Sequence, residues 1–77
     1  MFTVYAISSK TRRYIYVGLT SDLEERLHRH NSGYEQTTKP YRPFEIIFQR
    51  NFPTRVEARE FEKYLKTTRW KREVLGI

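Results

Sequence analysis

Arg26 and His30 stand four residues apart in LEERLHRHNS, so on a helix they lie one above the other on a single face. An upstream hairpin supplies the phenols Tyr5, Tyr14 and Tyr16, and a later amphipathic stretch supplies the carboxylate Glu62. Guanidinium, imidazole, phenol and a lone carboxylate can together hydrolyse a phosphodiester. One carboxylate can hold a hard divalent cation whose other ligands are water and phosphate oxygen, the usual manner of Mg²⁺. Such a cation polarises the phosphate and stabilises the leaving oxygen. The arginine fork matches phosphate and offsets transition-state charge, while a tyrosine or histidine relays the proton of water. No single residue is diagnostic. Glu62 also suits a helical ion pair with Lys66 or Arg59, and Arg26 a snorkelling chain or a partner for Asp22. His30 also suits a satisfied packing role, and Tyr5 and Tyr16 packed rings with wet hydroxyls. His28 falls on the outer face and reads as surface.

The elements that must place these groups follow from periodicity. Residues 2–8 (FTVYAIS) and 13–19 (RYIYVGL) are rich in β-formers and alternate, so both read as strands joined by the polar loop SKTR. A four-residue loop sets Tyr5 opposite Tyr16. Val4, Ala6, Ile15 and Val17 then share an apolar face that packs, and Tyr5, Tyr14, Tyr16 and Gly18 share a face that presents phenols. Thr20 or Ser21 caps the next helix, with Ser21-x-x-Glu24 as a capping box, Asp22 in the first turn and Gly33 as the stop. At about 100° per residue, His30 lies within roughly 20° of Leu23 on the Leu23–Leu27 stripe, and Arg26 about 60° away at its border. Residues 34–43 form a polar loop, 44–52 (FEIIFQRNF) a third strand, and Thr54-x-x-Glu57 opens a helix running to about Lys66. Its buried stripe is Ala58, Phe61 and Leu65, with Glu62 at the border. A basic segment, RWKREVLGI, follows, with room for a short final helix. The order β-β-α-β-α implies an α+β fold, a small three-stranded antiparallel sheet flanked by helices.

Composition narrows the partner. The 77 residues suit one domain with a thin core, helped by an aromatic content of 16%. With no cysteine, disulfides and thiolate metal sites are excluded. No apolar run approaches a membrane span and the N-terminus lacks a signal-peptide layout, so a soluble cytoplasmic protein with no membrane partner is expected. Fifteen Lys and Arg against nine Asp and Glu give a formal charge of +6, which points to nucleic acid. Arg12, Arg13, Lys39, Arg42, Arg69, Lys71 and Arg72 spread that charge without a base-reading motif, so phosphate contacts are expected to dominate. No glycine-rich phosphate loop, zinc motif or nucleophilic triad occurs.

The ordered set TVY (3–5), YVG (16–18) and T-x-D-L-x-x-R-L-x-x-H-N-S-G (Thr20 to Gly33) resembles the GIY-YIG nuclease family, and above all its small standalone bacterial members. Residues 43–48 and TRVEAREFEKYLK (54–66) continue the likeness over nearly the whole chain, which also resembles the N-terminal catalytic domain of the excision-repair nuclease subunit. The resemblance implies a single nuclease domain over residues 1–77 and a metal-dependent DNA endonuclease, structure-selective or weakly sequence-specific, in DNA repair or processing. By the same likeness Tyr5 and Tyr16 are the motif tyrosines that deprotonate or position the attacking water, and Arg26 binds the scissile phosphate. His30 supports the proton network, Glu62 is the sole carboxylate ligand of one Mg²⁺ or Mn²⁺, and Gly18 permits close backbone approach. The chain departs from the pattern in TVY for GIY, in lacking an asparagine after the glutamate, and in its short C-terminus. A nucleic-acid-binding module with little or no turnover, and a domain that cleaves only with a protein partner, are the competing expectations.

Overall fold

Strand β1 (Phe2–Ser9), rich in β-branched and aromatic residues and buried through its middle, is the centre of the sheet in the computed structural model, which describes residues 1–67. Strand β2 (Ile15–Thr20) and strand β3 (Phe44–Phe52) flank it, both antiparallel, in the order β2-β1-β3. Helix α1 (Leu23–Ser32) follows β2, and helix α2 (Arg55–Leu65) follows β3. The connection before β3 carries a short 3-10 turn, Lys39–Tyr41. The expected α+β class, element order and three-stranded antiparallel sheet are all present. The final helix and the cations Arg69, Lys71 and Arg72 lie outside the described residues.

Three expectations need correction. Tyr5 pairs with Gly18 rather than with Tyr16, whose partner is Ile7. The loop is residues 10–14, because the Ser9 hydroxyl accepts the Thr11 and Arg12 amides (3.2 and 3.1 Å) and holds a wider turn. A two-residue slip preserves both faces, since side chains alternate with period two. The N-cap is Asp22, whose side chain accepts the Glu25 amide at 3.2 Å. DLEE contains a second capping box, Asp22-x-x-Glu25, one residue along. The Thr20 hydroxyl is engaged with the Asp22 amide and carbonyl, which fixes the shift. Finally, the phenol face is covered. Leu23 and Leu27 of α1 pack with Tyr5, Ile7, Tyr14, Tyr16 and Phe44, while Ala58, Phe61 and Leu65 of α2 pack with Val4, Ala6 and Val17 on the opposite face.

One strand serves both layers by means of a bulge. Ala6 pairs with Phe48 and Ile7 with Ile46, leaving Ile47 as the extra residue. Without it Phe44 and Phe48, four apart, would share a face. With it Phe48 and Phe52 join the α2 core and Phe44 joins the α1 core.

Candidate active site

Arg26 and Glu62 belong to helices on opposite faces of the sheet, yet they line one groove. It lies where β1 begins and β2 ends, encloses about 280 Å³, and is completed by Phe2, Leu19, Thr20, Ser21, Arg55 and Arg59. Glu62 is 8% exposed and is held by Lys66 at 3.5 Å and Arg59 at 4.0 Å, so the helical ion pairs expected of it are present at the groove wall. Arg26 does not pair with Asp22, whose carboxylate is committed to capping. It points to Glu35 at 3.9 Å, and Arg29 shares that carboxylate at 3.2 Å.

Beside the groove stands a hydrogen-bonded chain through the α1 core. The Tyr5 hydroxyl lies 3.1 Å from His30 Nε2, and His30 Nδ1 lies 2.8 Å from Thr38 Oγ1. The Thr38 hydroxyl donates to the Glu35 carbonyl at 3.4 Å, so it accepts from Nδ1–H. That assigns the proton of a neutral imidazole to Nδ1 and leaves the Nε2 lone pair for the Tyr5 hydroxyl. Tyr5, His30 and Thr38 are each about 1% exposed. Burial pushes the Tyr5 phenol well above its ordinary range, Tyr16 adds to the rise, and Arg26 opposes it. Burial likewise pushes His30 below its ordinary value; the Glu35 charge resists this, and Arg26 and Arg29 reinforce it. Phenol and imidazole are therefore both neutral near pH 7, and a proton leaving Tyr5 has an acceptor already in contact.

Tyr16 is the half-buried member of the pair of phenols. Its ring lies 4.9 Å from that of His30 and 6.3 Å from that of Tyr5, centroid to centroid. Gly18 makes room for the cluster: a Cβ built there falls 2.6 Å from Tyr5 Cζ, on top of the phenol. The space left by the missing side chain is thus occupied by Tyr5 itself.

The structure brings Tyr5, Tyr16, His30 and Gly18 into contact and sets Arg26 and Glu62 in the adjoining groove, near enough for both charges to act on the Tyr5 phenol. The described cations expected to touch nucleic acid lie elsewhere. Lys39 and Arg42 line an open hollow of about 610 Å³ with Gln36 and Pro40, and Arg12 sits 5.9 Å over the Tyr41 ring. The Lys10 amide bonds the Pro43 carbonyl at 2.9 Å, so Arg12, Arg13, Lys39 and Arg42 gather where β1 ends. At roughly 3.3 Å per residue, that is about 20 Å along the strand from the groove. Sequence reasoning missed Thr38, Glu35 and Arg55, and saw Arg59 only as a partner for Glu62. A loop threonine carries no periodic signal, and exposed helix arginines look like a solvated face.

A metal can be tested against the donors present. Among the described residues no group of three or more His, Cys, Asp or Glu could enclose an ion. The groove offers one carboxylate with the hydroxyl residues Thr20 and Ser21 nearby. This donor set suits hydrated Mg²⁺ or Mn²⁺ and does not suit Zn²⁺, which demands nitrogen or sulfur ligands in number.

Comparison with known proteins places the chain in a family. Residues 1–73 match the family model of the GIY-YIG catalytic domain. The chain is 40% identical over 72 residues to the UPF0213 protein YazA of Bacillus subtilis, covering 91% of this chain and 72% of that protein. It is 40% identical over 64 residues to a UPF0213 protein of Bacillus pumilus, covering 82% of this chain and 65% of the relative. Its fold resembles the solution NMR structure of the UPF0213 protein BH0048 from Bacillus halodurans, with a TM-score of 0.59 and 29% identity, covering 99% of this chain and 84% of the other.

Proposed function

Because the chain belongs to the GIY-YIG catalytic-domain family, we propose that the groove is the active site of a metal-dependent DNA endonuclease, structure-selective or weakly sequence-specific, acting in cytoplasmic DNA repair or processing, with residues 1–77 forming one nuclease domain. The observation that carries this reading is the meeting of Arg26 and Glu62, from opposite faces of the sheet, beside a tyrosine already bonded to a neutral histidine. Glu62 would hold the Mg²⁺ or Mn²⁺, which when bound supplies Lewis-acid polarisation of the phosphate and stabilisation of the leaving oxygen. Arg26 binds the scissile phosphate and neutralises the charge that develops on it, at the cost of only a long contact to Glu35. The attacking water gives its proton to the Tyr5 oxygen while the Tyr5 proton passes to His30 Nε2. The handover avoids a free phenolate, which burial opposes. Thr38 keeps Nδ1 protonated so that Nε2 can receive. Tyr16, the more exposed phenol, orients the water.

The test is cleavage of nicked, branched, linear and single-stranded DNA by the wild-type protein and by Glu62→Gln, with and without Mg²⁺ or Mn²⁺. Metal-dependent cleavage by the wild type, lost in a folded Glu62→Gln protein that still binds DNA, is expected. Equal cleavage by both proteins would refute the assignment.

A further inference from the structure

The groove holds more positive charge than one scissile phosphate requires. Besides Arg26 it is lined by Arg55 and Arg59, both exposed on α2. Among the described residues Arg59 has one carboxylate contact, Glu62 at 4.0 Å, which Lys66 approaches more closely at 3.5 Å. Arg55 has no ion-pair partner among the described residues. It is also the first residue of α2, where the helix dipole disfavours a cation, so neither a partner nor the helix accounts for it. The two arginines are one turn apart, about 6 Å along the axis, close to the interval between neighbouring phosphates on one strand. Glu62 continues the same line one turn further on. Guanidinium forks bind phosphate oxygens in bidentate fashion, which a row of point charges would not do.

We propose that Arg55 and Arg59 form a second phosphate subsite, holding the backbone phosphates next to the one at Arg26 and Glu62, so that a DNA strand runs along α2 from Glu62 toward the start of the helix. The position of the scissile phosphate rests on the nuclease reading of the groove. The binding role of the two arginines can be measured without turnover.

The experiment is fluorescence anisotropy with labelled nicked duplex DNA in EDTA at several KCl concentrations. It uses wild type, Arg55→Ala, Arg59→Ala, the double variant, and Lys63→Ala as a charge removed from the same helix outside the groove. Both arginines are exposed and alanine favours helix, so the variants fold. Each arginine removed should weaken binding roughly tenfold, as loss of a charged hydrogen bond does. The double variant should lower the slope of log affinity against log salt by about 1.8, the value for two phosphate contacts. Lys63→Ala should leave both near wild type. In duplexes carrying a single neutral methylphosphonate at successive positions, one or two adjacent positions should weaken the wild type, and those same positions should not weaken the double variant further. Losses that are equal per charge for the double variant and Lys63→Ala, or additive at every methylphosphonate position, would overturn the subsite and leave the nuclease reading untouched. A wild type that cleaves no DNA in the presence of metal, yet shows the expected binding losses, would overturn the nuclease reading and retain the subsite.

Discussion

Thr38→Val removes one hydroxyl and keeps the shape of a side chain that is 1% exposed. In the wild type that hydroxyl accepts the His30 Nδ1 proton at 2.8 Å. Without it the imidazole has two options. It keeps Nδ1–H and leaves a buried donor unpaired, or it moves the proton to Nε2 and leaves Nδ1 as a buried orphan acceptor. Either choice costs about 1–3 kcal/mol. A domain of this size shifts its melting midpoint by about 4–8 °C per kcal/mol, so the midpoint should fall by roughly 5–20 °C. The second option also turns His30 into a donor toward Tyr5, which can no longer pass its proton on. Turnover should then drop by about two to four powers of ten, the size of a general-base contribution. The assays are thermal and urea unfolding, ¹⁵N NMR of the His30 ring to read the tautomer, and single-turnover cleavage. Thr38→Ser should restore all three readouts. An unchanged tautomer and midpoint in Thr38→Val, or equal damage in Thr38→Ser, would refute the role assigned to the hydroxyl.

Gly18→Ala should destabilise the domain by about 1–3 kcal/mol in urea titrations, because the new Cβ meets Tyr5 Cζ at 2.6 Å. Tyr5→Phe keeps Cζ and should not relieve the clash, whereas Tyr5→Leu should. Arg26→Ala should lower turnover by roughly two to three powers of ten, with a loss of DNA affinity no larger than the roughly tenfold of one phosphate contact, since a transition-state donor is removed. Weaker binding with unchanged single-turnover cleavage would make Arg26 one more surface cation. The depressed His30 value means that the unfolded chain binds its proton first, near the ordinary 6.5. The stability this group contributes is complete above about 6.5 and is lost as pH falls through the lower folded value. Urea midpoints from pH 7.5 downward should decline in the wild type and decline less in His30→Gln. Tyr5 acts in the opposite sense: its unfolded phenol ionises near 10 while the folded one does not, so stability should fall as pH rises past 10.

The strands, the Thr54 cap of α2 and the faces on which the candidate site residues lie were legible because they rest on local rules. Alternation placed Tyr5, Tyr16 and Gly18 on one face even though the pairing register differed by two, since a shift of two leaves every side chain on its own side. The cap is Asp22 rather than Thr20 or Ser21 because SDLEE holds two overlapping boxes and the Thr20 hydroxyl selects between them. Long-range features were silent. FEIIFQRNF shows no break at Ile47, yet the bulge there redirects Phe44 to the other layer. Thr38 sits in a loop without pattern, and only the packed fold brings it to His30. Arg55 and Arg59 have the spacing of any solvated helix face; what distinguishes them is the groove below.

The placement of α1 and α2 on opposite faces has a kinetic consequence. Arg26 arrives with one layer and Glu62 with the other, and among the described residues the two helices pack in separate clusters on either side of the strands. A chain that has docked α2 but not α1 would carry its carboxylate without the phosphate-binding arginine; the reverse intermediate would carry the arginine and the tyrosine–histidine pair without the carboxylate. On the proposed function, neither half-assembled chain would cut. On dilution from denaturant, recovery of cleavage should therefore track the slower of the two docking events and never precede it. On the same reading, a basic chain drawn to DNA before folding is complete would be kept from cutting what it binds.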